Sequence, residues 1–121
     1  MTTSAPRFVR PTRPLSWIQA ARKSFERFPN DVQLACLQAL TAVADGGKPE
    51  IAKPLHGLGS GVFEIALPHR GNAFRVVYAV QLDPAIWVIH AFQKKSKTGI
   101  RTPKRENDVI WKRLQRLREV L

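Results

Sequence analysis

The residues best equipped for chemistry lie between positions 74 and 97 of the 121-residue chain, in the stretch FRVVYAVQLDPAIWVIHAFQKKSK. Arg75 sits inside one apolar run, and Lys94, Lys95 and Lys97 follow the end of a second. A guanidinium offers a planar fork for two phosphate oxygens, and an ammonium offers a compact positive charge. Both stabilise negative charge building up on phosphorus without titrating themselves. Held by a sheet, they form a fixed anion site. Lys53, His56, Arg101 and Lys104 can extend a track along a nucleic-acid backbone, although each alone reads as ordinary surface charge.

Such charge stabilisation still needs a proton acceptor and donor. His56, His69 and His90 are the three histidines, and Tyr78 is the one tyrosine. Strand parity puts Tyr78 on the face opposite Arg75, hence in the core. His90 depends on register. If Arg75 lies opposite Phe92, His90 shares its face and is a candidate general base. If Arg75 lies opposite Ala91 or Gln93, His90 points into the core.

The formal charge of +11 favours a polyanionic partner such as nucleic acid. A membrane surface fits less well, because no long basic amphipathic helix with a Trp/Leu-rich face is present, nor any apolar run long enough to span a bilayer. The first residues lack a signal-peptide core, so a cytoplasmic protein is expected. The single Cys36 excludes an internal disulfide, and no Cys/His spacing suits zinc. No metal or other cofactor is expected. The glycines of residues 46–61 are not followed by Gly-Lys-Ser/Thr, so they read as turn residues and not as a phosphate-binding loop.

The elements that must position these side chains follow in order. Residues 1–13 are polar, proline-interrupted and basic, and read as a flexible arm; one domain is expected over 14–121. Residues 15–18 fit a short strand or a first helical turn. Ala21, Phe25 and Phe28 carry helical spacing up to Pro29. Asn30 is placed as the cap of a second helix, with Val32, Ala35, Cys36, Ala39, Leu40 and Val43 as its apolar stripe and Gly46-Gly47 as its stop. Residues 46–61 read as a loop. Residues 62–67, 73–80 and 85–92 read as a three-strand antiparallel meander, the first strand half-exposed, with Gly71-Asn72 at the tip of the first turn. Thr102 is placed as the cap and Pro103 as the first residue of a final helix, whose stripe is Val109, Ile110, Leu114, Leu117 and Leu121.

The segments RPLSWIQAARKSFERFPNDV, AKPLHGLGSGVFEI, FRVVYAV and HAFQKKSKTGIRTPK, with KRL in the last helix, resemble the RelE/ParE superfamily of bacterial toxins, in its HigB-like, phage-derived branch. HAFQKKSK followed by TPK is the most specific part. The resemblance implies an α+β fold: a helical hairpin and a C-terminal helix on a small antiparallel sheet, with a possible fourth, N-terminal strand. It implies a type II toxin that cuts mRNA on the ribosome without a metal and is silenced by a cognate antitoxin, often of helix-turn-helix type. Arg75 and Lys95 match basic active-site positions of the family, and Lys94 joins them as a catalytic candidate. Lys53, His56, Lys97, Arg101 and Lys104 are expected to hold RNA. Setting Lys95 beside Arg75 favours the register with His90 in the core. The chain departs from RelE at Glu64 and Ala66, where RelE has lysines, and in lacking a tyrosine after the basic run. RelE's proton-transfer groups therefore do not carry over. A ParE-like gyrase inhibitor and a non-catalytic nucleic-acid-binding module are the alternatives.

Overall fold

A computed structural model describes residues 12–94 and 102–121. It contains five strands and three helices: β1 (Leu15–Trp17), α1 (Gln19–Phe25), α2 (Asn30–Ala44), β2 (Ala52–Pro54), β3 (Val62–His69), β4 (Asn72–Ala79), β5 (Ile86–Lys94) and α3 (Lys104–Val120). The sheet order is β1-β5-β4-β3-β2. β1 runs parallel to β5, and the remaining pairings are antiparallel. The α+β expectation holds, and β1 is the anticipated extra strand. β2 lies inside the stretch read as loop; its three residues are too few to carry an alternating pattern.

Helices cover both faces of the sheet. On one face, Phe25, Phe28, Val32, Cys36, Leu40 and Val43 pack against Ile65, Val76, Tyr78, Ile86 and Val88. On the other, Ile110, Leu114 and Leu117 of α3 pack against Val62, Val77, Ala79, Ile89 and Phe92. This double cover explains why β4 and β5 read as nearly continuous apolar runs. It also corrects the half-exposed reading of β3, in which Val62, Glu64, Ile65 and Leu67 are all buried. Fully buried side chains such as Leu40 and Leu114 each contribute about 1.5–3 kcal/mol of transfer free energy.

Local chemistry sets the element ends. α1 stops at Phe25, and Arg27 and Phe28 donate their backbone N–H groups three residues back, to Ser24 and Phe25. Pro29 forces this tightening by disfavouring helical geometry in the residue before it. Asn30 is already helical and is not the cap; Pro29 holds that position. α3 likewise has Pro103 as its cap residue, not Thr102, whose hydroxyl is committed elsewhere. The β3–β4 turn has Arg70 and Gly71 at its tip, with φ of 49° and 79°, and His69 pairs with Asn72. Positive φ at both central residues is the two-residue turn whose twist matches an antiparallel hairpin.

Thr12 and Arg13, assigned by sequence to the arm, are bonded to the domain. The Thr12 hydroxyl donates to Asp45 at 2.8 Å. The Arg13 guanidinium donates to the carbonyls of Val80, Asp83, Pro84 and Ala85. The rest of the arm, residues 1–11, lies outside the described residues. Among the described residues no helix is long and apolar enough to cross a membrane.

Candidate active site

The β3–β4 register fixes which side chains share the face under α3. Ala66 pairs with Arg75, and Glu64 with Val77, so Glu64 and Arg75 are same-face diagonal neighbours. Arg75 Nη1 donates to Glu64 Oε1 at 2.6 Å, and the Thr102 hydroxyl donates to Glu64 Oε2 at 2.8 Å. The carboxylate is thus shared between the central strand and the entry to α3.

Arg75 lies opposite Phe92, and Ala73 opposite Lys94. The register favoured by setting Lys95 beside Arg75 is therefore incorrect, and Lys94 lies on Arg75's face. Lys95, Lys97 and Arg101 lie outside the described residues. Glu64, Arg75 and Lys94 are each less than a tenth exposed. Burial lowers the Lys94 pKa, the positive charge of Arg75 lowers it further, and Glu64 opposes both. A lysine so placed releases its proton more readily than one in water.

His90 also faces α3, so its expected place in the opposite core is corrected. Val77 pairs with His90 but Tyr78 with Val88, leaving Ile89 as an extra residue. Register with Arg75 and Val77 brings His90 to the α3 face, and the bulge turns Ile89 there as well. Arg113 Nη1 donates to His90 Nδ1 at 3.0 Å and to the Ile89 carbonyl at 3.0 Å. An arginine can only donate, so Nδ1 is an acceptor and His90 Nε2–H donates to Glu106 Oε1, 2.7 Å away. Both ring nitrogens are occupied, which removes His90 as a general base. Burial lowers its pKa and the Arg113 charge adds to this, against the raising effect of Glu106.

The remaining candidates are peripheral. Lys53 is exposed on β2 opposite Glu64 in register, and His56 is exposed in the loop that follows. Lys104 is exposed at the start of α3 and is paired with Asp108 at 3.1 Å. Tyr78 is buried in the α1/α2 core as expected, its hydroxyl pKa pushed up to about 12, chiefly by burial. Sequence reasoning missed Glu64, Thr102, Glu106 and Arg113. The Arg70-Gly71 pair held the signal for the first: a two-residue turn there sets Ala66 against Arg75 and Glu64 beside it.

The model of the Phage derived protein Gp49-like (DUF891) family matches residues 23–115. The chain belongs to this family. Among solved structures it is similar to a double-arginine mutant of the Escherichia coli toxin RelE in the free state. That likeness has 20% identity and a TM-score of 0.60, covering 88% of this chain and 98% of the other. The isolated E. coli RelE toxin is similar at 22% identity and a TM-score of 0.56, covering 84% and 98%. The Gp49-like chain therefore has the RelE fold that its sequence segments suggested. No curated protein matches its sequence.

Proposed function

We propose that this Gp49-like chain is the toxin of a type II toxin–antitoxin pair and an endoribonuclease that cuts mRNA on the ribosome. The observation that carries this reading is the gathering of Glu64, Arg75 and Lys94 on one face of a RelE-type sheet. The three groups match the needs of metal-independent transphosphorylation. Glu64, whose two oxygens each keep a lone pair beyond the Arg75 and Thr102 bonds, takes the proton of the attacking 2′-hydroxyl. Arg75 stabilises the charge that develops on the phosphorus oxygens, an effect whose loss costs on the order of 10²–10³ in rate. Lys94, with its lowered pKa, gives a proton to the departing 5′-oxygen. The products are a 2′,3′-cyclic phosphate and a 5′-hydroxyl.

A guanidinium has five N–H donors, so an incoming phosphate can share Arg75 with Glu64. Lys95 joins the catalytic cations. Lys53, His56, Lys97, Arg101 and Lys104 hold the flanking RNA backbone. The partner that silences the toxin is a cognate antitoxin, of helix-turn-helix type as the family resemblance implies. The net charge of +11 supports both a ribosomal and an mRNA target.

The test is translation in a cell-free extract with the purified chain, followed by mapping of mRNA ends. Cuts at translated codons that depend on ongoing translation are expected. Intact mRNA with gyrase trapped on DNA would assign the fold to gyrase poisoning instead.

A further inference from the structure

The His90–Glu106–Arg113 chain has no part in the reaction above, yet it is built with care. Its His90 and Glu106 line a cleft of about 360 Å³ between the end of α1, β5 and the start of α3. Ser24, Arg27, Gln93 and Glu106 line the cleft, and Phe28, Phe74 and Phe92 supply apolar walls. Gln93 and Phe92 directly precede Lys94, and Phe92 is the cross-strand partner of Arg75. The cleft therefore borders the proposed cleavage site.

A pocket with apolar, aromatic walls and a few fixed polar groups suits a single-stranded nucleobase. Glu106 decides which one. An ionised carboxylate only accepts hydrogen bonds. Guanine alone presents two adjacent donors, N1–H and N2–H, on its pairing edge. Adenine and cytosine each set a ring acceptor beside their amino group, and uracil flanks its single N–H with carbonyls. A carboxylate aimed along the pairing edge therefore favours guanine and repels the other three. His90 fixes that aim: its Nε2–H holds Glu106 Oε1, and Arg113 on Nδ1 keeps the proton on Nε2. The exposed Arg27 and Gln93 complete the rim.

We propose that this cleft is a guanine-binding subsite, with Glu106 as its specificity residue and His90 as the residue that positions Glu106. The proposal rests on the ribonuclease reading for its biological use, since it makes guanine the base recognised beside the cut. It does not rest on that reading for its physics.

The test is titration of the isolated, full-length chain with GMP, AMP, CMP and UMP by calorimetry and amide NMR. GMP is expected to bind tighter than the others by about tenfold or more, the range of a good bidentate base contact. It is expected to shift the amides of His90, Gln93 and Glu106. Glu106→Gln should abolish the preference. Ser24→Phe, which fills the cleft from the α1 side, should abolish binding with the His90–Glu106 bond retained. Equal affinity for all four nucleotides, or shifts located elsewhere, would overturn the proposal. GMP preference in a chain that cuts no mRNA would uphold the subsite and remove the nuclease reading. Cleavage with no base preference and an unchanged pattern in Glu106→Gln would do the reverse.

Discussion

Removing Glu64 should cost the fold more than any other single surface or strand carboxylate. Its side chain and that of Arg75 are each 10% exposed, and they meet at 2.6 Å. Glu64→Ala leaves a buried guanidinium without its carboxylate, a loss of about 3–5 kcal/mol. It also takes the acceptor from the Thr102 hydroxyl, adding about 1 kcal/mol. Domains of this size are stable by about 5–15 kcal/mol, so the variant sits near the edge of folding. Arg75→Met alone should cost a similar amount by stranding Glu64. The double variant Glu64→Leu/Arg75→Met removes both charges and is expected to lie within about 2 kcal/mol of wild type, since a buried pair replaced by apolar groups is close to neutral. The assay is urea unfolding followed by tryptophan fluorescence, read as a double-mutant cycle. Single variants that each cost under about 1 kcal/mol, or a double variant that costs the sum of the singles, would refute the reasoning.

Three further outcomes are expected. Folded His90 holds its proton less tightly than it does in the unfolded chain, so its contribution is complete above the unfolded pKa of about 6.5 and is lost as pH falls below it. Stability should therefore drop between pH 7 and pH 5, by at most about 1.4 kcal/mol per pH unit from this group, and His90→Gln should flatten that slope in urea titrations. Arg13→Ala should lower the melting temperature, because one guanidinium satisfies four carbonyls at 2.6–3.3 Å; a loss of about 1–3 kcal/mol is expected in thermal unfolding. Gly71→Ala should cost about 1 kcal/mol in the same assay from backbone strain alone, since φ is +79° and a Cβ would meet nothing within 4 Å.

Periodicity carried most of the fold. The stripes of α2 and α3 and the three long strands are legible because each buries a regular face. β2 was not, because its pairing with β3 is a tertiary event over three residues. Thr102 looked like a cap because Thr-Pro before an acidic turn is the usual helix start; its hydroxyl instead serves Glu64 from a distant strand. In the candidate site, Arg75 was visible as a lone charge in an apolar strand. Its partner was hidden by reading Glu64 only as a departure from RelE and not as half of an ion pair. The face of His90 turned on the strand register, which sets Arg75 against Phe92 and not against Ala91 or Gln93, a one-residue difference that leaves no pattern in the sequence.

The proposed mechanism is that Arg75, Glu64 and Lys94 cut RNA by attack of its own 2′-hydroxyl. Its most direct measurement is the chemistry of the new mRNA ends in a translating extract. Downstream fragments bearing a 5′-hydroxyl are expected with wild type. They should fall by on the order of 10²–10³ in rate with Arg75→Lys, provided circular dichroism shows that variant to be folded. Fragments bearing a 5′-phosphate, undiminished cutting by Arg75→Lys, or mRNA left intact by the wild-type chain would contradict the account.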